Sequence, residues 1–537
     1  MLPSPSSSPA RPVLHDRVNV EDQATATPTT SRTTTYLPTP RLSDKKRRPE
    51  PFSLHPVNKR PRLDVDNSDA DSSSDEEDVL LIPRRRDLLL CAPHAERSLQ
   101  RYTWGLNSFS TTPILRTFVS SVTDIFACRS EDTGYVSPPY ACDYTHRART
   151  GGDPLLAVAT EEGVVQVVKT IERSPCDPGT LYPQHCSSRN LTSAEPQRAI
   201  MRPHANGVFS VKWDPTDTLL ATSSGDLSTH ICDVQTLAVN QTLRAHSLTV
   251  KTSAWDPNHR DVLATGGRDG CVHIWDLRAA ERRNADGSLT PVKSIVRAHE
   301  ESSQKPKGRK TKSPPIPKGV TGLTYTDALP HALVSSGSAD GVLRYWDLRD
   351  PKPAKRSKRT KALEICEPHL MSPTDPTVSH GARRPRGIAS VVPGHGPTAG
   401  LIFALGLDSR IHTYSAHTLE PTPFSYSHPR MQTNNFYLGL DLSPCGRWLA
   451  SGSTGGQGRA FLYDVANAGR LTSASVHGVE LKGQAGDVGA VSWAQDTLAT
   501  CADDGSVRVW RPNAERYREC LADPKDAAWR WSWSVSD

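Results

Sequence analysis

Two stretches of this chain, VLATGGRDGCVHIWDLR at 262–278 and LVSSGSADGVLRYWDLR at 333–349, follow one pattern and end in the same four residues. In each stretch, two short apolar runs flank an Asp-Gly pair, and the second run ends in Trp-Asp. A strand, a tight turn and a second strand that ends in Trp-Asp are typical of a WD-repeat propeller blade. The two stretches therefore predict an all-β fold built from repeated small sheets.

Four copies of the pattern share a set of polar positions at a histidine, a small hydroxyl residue, an aspartate and an aromatic residue. Two copies are complete, with His246, Thr265, Asp269 and Trp275 in one and His299, Ser336, Asp340 and Trp346 in the other. A third copy has His204, Thr222 and Asp226 but Cys232 in place of the aromatic residue. A fourth has Thr500, Asp504 and Trp510 without a preceding histidine. Weaker copies lie at 155–168, 402–414 and 449–464. Seven copies predict a seven-bladed WD-repeat β-propeller.

The recurring histidines and aspartates favour a structural role. Imidazole, hydroxyl, carboxylate and indole groups can pass hydrogen bonds along a buried chain, and a satisfied network of this kind fixes one geometry. We therefore interpret none of these histidines as a metal ligand or a catalytic base. No metal or cofactor is expected.

The composition predicts a propeller at 99–537 that follows a disordered region at 1–98. The chain has 537 residues, of which only 36% are hydrophobic and 44 are prolines, and both values indicate sizeable unstructured segments. No apolar run is long enough to span a bilayer, and no signal peptide is expected at the N-terminus. The 11 cysteines show no metal-binding spacing, which suits free thiols in a reducing compartment.

Charged clusters mark the region before the propeller. The basic clusters KKRRP at 45–49 and KRPRL at 59–63 resemble a bipartite nuclear-import signal, although a solvated charge run is the alternative. The acidic segment at 64–78 contains serines that resemble sites of acidophilic kinases. These clusters predict a nuclear protein.

Two basic, proline-containing stretches interrupt the repeats, KPKGRKTKSPPIPK at 305–318 and DPKPAKRSKRTK at 350–361. Charge and proline exclude them from a central strand, so we expect loop insertions at about 300–319 and 350–385. Such loops suit nonspecific contact with DNA phosphates or an acidic partner surface, and equally suit a soluble spacer. At 527–537, AAWRWSWSVSD has tryptophans at alternate positions, which predicts a strand that packs on the propeller, with an exposed partner-binding stripe as the alternative.

The sequence gives no support for catalysis. It contains no P-loop, no GxSxG and no HExxH pattern. The aspartates of the repeats lie at structural turns, so we interpret the protein as an interaction platform and not as an enzyme.

The repeats resemble those of the denticleless family, which are substrate receptors of cullin-RING ubiquitin ligases of the cullin 4 type. The segment at 246–278 resembles the third blade of that family. PPYACDY and LLAVATEEGVVQV (138–167) resemble its first blade, 204–234 its second and 498–511 its last. The resemblance covers roughly 110–511 and is thin at 386–480.

This resemblance implies two sites. WDxR motifs of consecutive blades dock the ligase adaptor in such receptors, which assigns that role to Trp275, Asp276, Arg278, Trp346, Asp347 and Arg349. The implied substrates are replication-linked proteins bound to a sliding clamp, whose degrons carry basic residues. Glu161 and Glu162 are therefore the candidates for substrate binding, with an ordinary charged turn as the alternative. A nuclear WD-repeat scaffold in chromatin or RNA processing, without a ligase, is the alternative function.

Overall fold

A computed structural model describes residues 110–130, 133–172, 198–279, 281–300, 317–328, 331–349, 367–379, 382–468 and 478–535. The predicted disordered region, its basic and acidic clusters and most of the two basic stretches lie outside these residues. Two strands precede the first repeat, β1 (Phe118–Ser121) and β2 (Ile125–Ala127). The repeats then form antiparallel four-stranded sheets, as the pattern predicted.

The first four blades each contain four consecutive strands. Blade 1 comprises β3 (Pro139–Tyr144), β4 (Leu155–Thr160), β5 (Val165–Lys169) and β6 (Arg198–Met201), and blade 2 comprises β7 (Val208–Trp213), β8 (Leu219–Ser224), β9 (Ser228–Asp233) and β10 (Ala238–Arg244). Blade 3 comprises β11 (Val250–Trp255), β12 (Val262–Gly267), β13 (Val272–Asp276) and β14 (Lys293–Ile295), and blade 4 comprises β15 (Val320–Tyr325), β16 (Ala332–Gly337), β17 (Arg344–Asp347) and β18 (Leu370–Met371). Strand β18 falls within the insertion expected at 350–385, so that range is not loop throughout.

The remaining blades complete the ring. Blade 5 comprises β19 (Ile388–Pro393), β20 (Leu401–Gly406), β21 (Arg410–Ser415) and β22 (Pro421–Tyr426). Blade 6 comprises β23 (Leu440–Leu442), β24 (Trp448–Ser451), β25 (Arg459–Asp464) and β26 (Val479–Lys482). Blade 7 comprises β27 (Val488–Trp493), β28 (Leu498–Ala502) and β29 (Ser506–Pro512), and β1 from the start of the chain completes it. Each inner strand packs against the inner strand of the next blade, and β27 packs against β3. The fold is therefore a closed seven-bladed propeller, as predicted.

Helical segments are short and flank the strands. They are α1 (Thr112–Leu115), α2 (His146–Arg149), α3 (Ala514–Ala522), α4 (Pro524–Ala527) and the 3₁₀ turns Val122–Asp124, Pro376–Val378 and Gly396–Thr398. None of the helices in the described ranges is both long and apolar enough to cross a bilayer.

The predicted C-terminal strand is present as β30 (Trp531–Val535), which pairs with β26 on one side and with β1 on the other. Trp531 and Trp533 are half-buried in it, and the Arg516 guanidinium lies 5.0 Å from the ring centroid of Trp531. Trp529 precedes the strand and is 79% exposed. Only the other two of the three alternating tryptophans therefore lie in the strand.

The core lies between neighbouring blades. In the contact between blades 3 and 4, Ile274 packs with Leu323, Leu333 and Trp346, all of them buried. Removal of this apolar surface from water is the main favourable term that holds one blade against the next. The Asp-Gly turn of blade 3 also requires its glycine, because Gly270 has φ +77° and an added Cβ would lie 2.8 Å from the Lys318 carbonyl oxygen.

Candidate docking faces and central channel

The strand register places the predicted sites at opposite ends of the blades. In blade 3, Val250 pairs with Gly267 at the end that carries the Asp269 turn, whereas Val262 pairs with Asp276 at the other end. We call the first end, which carries Glu161, Asp269 and Asp340 in three blades, the turn face. We call the opposite end, which carries Asp276–Arg278 and Asp347–Arg349, the WD face.

Blade 3 contains the complete predicted hydrogen-bond chain. His246 Nδ1 lies 3.1 Å from Asp269 Oδ2, and His246 Nε2 lies 2.9 Å from Thr265 Oγ1. The Trp275 indole donates to the same hydroxyl at 2.9 Å. Burial favours the neutral form of Asp269, but hydrogen bonds from His246 and from neighbouring backbone N–H groups outweigh it and lower the pKa of Asp269 to about 2. The network fixes the end of β13 and with it the start of the WDxR motif.

Blade 4 corrects one prediction. The hydroxyl that links His299 to Trp346 belongs to Ser335, at 2.9 Å from each, and not to Ser336, which instead bonds the Thr321 hydroxyl at 3.1 Å. The reason is an extra residue in the turn, since Ser335 precedes Trp346 by one position more than Thr265 precedes Trp275. Counting back from the tryptophan by the same number of residues as in blade 3 therefore gave Ser336, which is the wrong serine.

The longer turn also separates the aspartate from the histidine in blade 4. His299 Nδ1 is buried without a hydrogen-bond partner among the described residues, and Asp340 Oδ2 lies 3.6 Å from Lys318 Nζ. Burial lowers the pKa of His299 to about 3 and raises that of Asp340. Blade 4 thus has the histidine–hydroxyl–tryptophan part of the chain without its carboxylate.

The second and seventh blades vary the chain at single positions. In blade 2, His204 bonds Asp226 at 2.8 Å and Thr222 at 2.9 Å, and the Cys232 thiol lies 3.9 Å from that hydroxyl in place of an indole. In blade 7, the position four residues before the inner strand is not a histidine. Gln484 takes the position and accepts from the Thr500 hydroxyl at 2.6 Å.

The two arginines of the WDxR motifs have nearly identical surroundings. Arg278 Nε and Nη2 donate to the two carboxylate oxygens of Asp276 at 3.0 and 2.9 Å, and Arg349 donates in the same way to Asp347 at 3.2 and 3.0 Å. Each aspartate also accepts from the backbone N–H of its arginine. The arginine side chains are 66% and 62% exposed, so both guanidiniums face solvent while each is paired with its aspartate.

These ion pairs explain the charge state of the motif. Hydrogen bonds from the Arg349 side chain lower the pKa of Asp347 to about 2, and those from Arg278 lower the pKa of Asp276. A separate hydrogen bond connects the two blades, because Lys293 of blade 3 donates to the Asp347 carbonyl oxygen of blade 4 at 3.0 Å. Two fixed cations therefore project from adjacent blades on the WD face.

Glu161 and Glu162 lie on the turn face of blade 1 and are both exposed. Burial, followed by the charge of Glu161, raises the pKa of Tyr140 to about 12. Burial and the nearby Asp487, Asp504 and Glu161 raise the pKa of Asp503 in blade 7. The predicted acidic turn is thus part of a larger acidic group that spans blades 7 and 1.

The mouth of the central channel on the turn face contains residues that the sequence did not single out. The ring of Phe209 stacks on those of Tyr140 and Tyr437, with centroids 5.4 and 4.9 Å away, and Lys251 Nζ lies 5.0 Å from the Tyr437 ring centroid. A register signal was available, because Tyr140, Phe209 and Lys251 each occupy the second position of an inner strand. Alignment of the inner strands would have placed them together.

Among the described residues, one group has the residue types and spacing to hold a metal ion. It consists of His246, Asp269 and His273, and its ligand atoms lie within 4.8 Å of one another. Both nitrogens of His246 and both oxygens of Asp269 are already engaged in hydrogen bonds. A metal would have to displace the hydrogen bonds that hold blade 3, so this group fits a structural role better than a metal centre.

One protein family matches this chain at three of its blades. The family "WD domain, G-beta repeat" matches residues 195–233, 238–276 and 476–511. A chain in the "Crystal Structure of Mitotic Checkpoint Complex" aligns with 72% of this chain and 90% of its own length, with a TM-score of 0.47 and 17% identity. The matched WD repeats correspond to blades 2, 3 and 7.

Several similar proteins have denticleless in their names. Denticleless protein homolog A of Xenopus laevis is 29% identical over 412 residues, which cover 74% of this chain and 51% of that protein. Denticleless protein homolog of Homo sapiens is 27% identical over 394 residues (71% and 48%), and Protein lethal(2)denticleless of Drosophila melanogaster is 26% identical over 372 residues (66% and 42%). The chain spans about half the length of the curated relatives it matches.

Proposed function

Because the chain belongs to the denticleless family of WD-repeat proteins, we propose that it is the substrate-recognition subunit of a cullin-RING ubiquitin ligase of the cullin 4 type. The observation that supports this most is the pair of matching Asp–Arg arrangements on the WD face of blades 3 and 4. In this proposal the protein performs no chemistry. It brings a substrate close to the ligase and so raises the effective concentration of the reacting groups.

The geometry of the arginines suits a docking role. A guanidinium has five N–H donors, and the aspartate of each motif accepts from Nε and Nη2 only, which leaves the Nη1 edge directed away from the carboxylate. A cation that is already oriented loses less conformational entropy when it binds a carboxylate or a carbonyl group of a partner. Trp275 and Trp346 are buried and hold the strand ends, so they support docking without contacting the adaptor.

The turn face remains for the substrate. Its acidic group, with Glu161 and Glu162 in blade 1 and Asp487, Asp503 and Asp504 in blade 7, suits a segment that carries lysine or arginine. We propose that this segment belongs to replication-linked proteins bound to a sliding clamp. The ligase and the substrate would then occupy opposite ends of one propeller.

The proposal places the protein in the nucleus, where the basic clusters at 45–49 and 59–63 would direct import. Imaging of a tagged variant with alanine at 45–48 and 59–62 checks this, and undiminished nuclear accumulation would contradict it. Nonspecific DNA contact through the basic stretches at 305–318 and 350–361 would hold the receptor near loaded clamps. A fall in DNA affinity with rising salt, lost when those lysines and arginines become alanine, is the corresponding measurement.

The test of the ligase connection is affinity purification followed by mass spectrometry. Wild-type protein should recover a cullin and its adaptor, and Arg278→Ala with Arg349→Ala should lose both while the thermal unfolding midpoint stays unchanged. Arg260→Ala is the matched control, because Arg260 is also exposed on the WD face of blade 3 and lies outside the motif. Undiminished adaptor recovery by the double variant would reject the docking assignment. Recovery of chromatin or RNA-processing proteins without a cullin would favour the scaffold function.

A further inference from the structure

A lysine inside the central channel lies apart from all the groups discussed above as ligase contacts. The channel is a cavity of about 440 Å³ lined by the inner strands of all seven blades. Lys251 is the second residue of β11 and projects into the mouth of this cavity on the turn face, where its ammonium lies 5.0 Å from the ring centroid of Tyr437. A cation over an aromatic face is stabilised only modestly by the ring.

No carboxylate in the described part of the chain forms an ion pair with Lys251, and burial alone lowers its pKa to about 8. The other cations of the channel are different. Lys212 Nζ lies 3.0 Å from Asp143, and Arg149 lies 3.4 Å from Asp143 and 3.2 Å from Asp441. Burying half of an ammonium group without a counterion costs free energy. An anion that binds next to Lys251 would neutralise this charge and recover part of that cost.

We propose that the turn-face mouth of the channel receives a carboxylate side chain, aspartate or glutamate, from the protein segment that this face captures, and that Lys251 forms the ion pair with it. This inference rests on the proposed function only in that the segment belongs to a substrate. The stacked rings of Tyr140, Phe209 and Tyr437 form an aromatic wall of the mouth. Tyr140, Phe209 and Lys251 are half-buried, so solvent screens a charge pair at this position less than it would on the open surface.

The charges around the mouth restrict the segment further. Lys251 belongs to blade 3, whereas the acidic group of the turn face lies on blades 7 and 1. A uniformly acidic peptide would be repelled by Glu161 and Asp503, and a uniformly basic peptide would be repelled by Lys251. The surface therefore fits a segment with one carboxylate that enters the channel and basic side chains on the part that crosses blades 7 and 1.

Panning of a random 12-residue phage-displayed peptide library on the purified full chain tests this without any ligase component. We expect wild-type protein to enrich peptides with Asp or Glu at one fixed position, followed or preceded by Lys or Arg. The same panning on Lys251→Met should lose the acidic position, because the substitution keeps the length of the side chain and removes the charge. Lys212→Met is the matched control and should retain it, since that lysine already has Asp143 as its partner.

A double-mutant cycle with an enriched peptide then measures the pairing itself. Replacing the peptide carboxylate by its amide (Asp→Asn or Glu→Gln) should weaken binding to wild-type protein by about tenfold or more, and should change binding to Lys251→Met by less than about twofold. Lys251→Arg should recover part of the affinity. Equal losses on wild type and Lys251→Met, enrichment that survives Lys251→Met, or failure of wild type to enrich any peptide would each overturn the proposal. Failure of the ligase proposal would appear separately, as loss of the cullin and adaptor from the purification.

Discussion

The Thr500 hydroxyl donates to the Gln484 side chain at 2.6 Å and accepts from the Trp510 indole at 3.0 Å. In blade 7 the glutamine amide therefore takes the place in the hydrogen-bond chain that a histidine imidazole has in blades 2, 3 and 4. Gln484 also donates to the Ser506 hydroxyl at 2.9 Å. An amide has one carbonyl acceptor and an NH₂ donor, which suffice for this network and carry no titratable proton at physiological pH. The hydrogen-bond chain of the blade can therefore be built with or without a group that titrates.

The buried histidines should make the propeller less stable in acid. Burial lowers the pKa of His299 to about 3 and those of His230 and His273 to about 4. Each folded-state pKa is below the unfolded value of about 6.5, so the unfolded chain binds more protons between these values and stability falls as pH decreases through that range. We expect the thermal midpoint to drop between about pH 6.5 and pH 4.

His299→Gln should remove part of this acid sensitivity, because glutamine already occupies the equivalent position in blade 7. Differential scanning calorimetry of wild type and His299→Gln between pH 4 and pH 8 is the measurement. Identical pH dependence of the two midpoints would show that His299 does not contribute to it.

The serine pair of blade 4 gives a test of the register. Ser335→Ala removes the hydroxyl that His299 and Trp346 share, and leaving both buried groups unpaired should cost about 1–3 kcal/mol in the free energy of unfolding. Ser336→Ala is the matched control and should cost less, since it loses only a contact with the Thr321 hydroxyl. Chemical denaturation of the two variants compares them, and a larger loss for Ser336→Ala would contradict the assigned hydrogen bonds.

The aspartates of the WDxR motifs should matter for docking although they need not touch the partner. Asp276→Asn with Asp347→Asn keeps both arginines but weakens the two-oxygen contact that orients each guanidinium. We expect adaptor affinity to fall by roughly fivefold, less than for loss of the arginines themselves, because only the preorganisation is removed. Surface plasmon resonance with purified adaptor measures this. Affinity equal to wild type would mean that the aspartates serve the blade alone.

Reversal of the acidic turn tests the proposal that the turn face binds substrate. Glu161→Lys with Glu162→Lys should weaken capture of a clamp-bound degron peptide by roughly tenfold through like-charge repulsion, while adaptor recovery is unchanged. A pull-down with and without DNA-loaded clamp gives both readouts. Unchanged substrate recovery would remove these two residues from the site, and a parallel loss of adaptor would indicate damage to the fold.

The unpaired lysine of the channel predicts a stability effect that needs no ligand. The folded-state pKa of Lys251, about 8, is below the ordinary lysine value of 10.5, so stability should rise as pH increases between these values. Lys251→Met should therefore be more stable than wild type at pH 7, by about 1–3 kcal/mol, and should lose that advantage by about pH 10.5. Urea unfolding at several pH values checks this, and destabilisation at pH 7 would imply a counterion for Lys251.

Much of the architecture could be predicted because the repeat carries its own register. The alternation of apolar residues and the Asp-Gly turn define β12 and β13, and the terminal Trp-Asp places Arg278 at the strand end. The error at Ser336 arose because one extra turn residue shifts the hydroxyl position relative to the tryptophan without changing the residue types. Sequence spacing alone cannot detect such a shift when two serines are adjacent.

The channel mouth escaped prediction for another reason. Tyr140, Phe209, Lys251 and Tyr437 have no common residue type, so no motif marks them, although the first three share the second position of their inner strands. They come into contact only when the ring closes. Asp487 and Asp503 join Glu161 in the same way, through the contact between the last blade and the first. Patterns within a repeat are local, whereas these features depend on which blades become neighbours.

The pairing of β1 with both β29 and β30 has a consequence for biosynthesis. Blades 1 to 5 are each made of consecutive strands, which can pair as the chain leaves the ribosome, whereas β1 waits for partners that are synthesised about 390 to 415 residues later. Closure therefore depends on contacts of very long sequence separation, which form slowly and leave strand edges exposed in the meantime. We expect the nascent chain to expose the unpaired edge of blade 7 until residues 531–535 emerge, and this interval is when the protein most needs a chaperone.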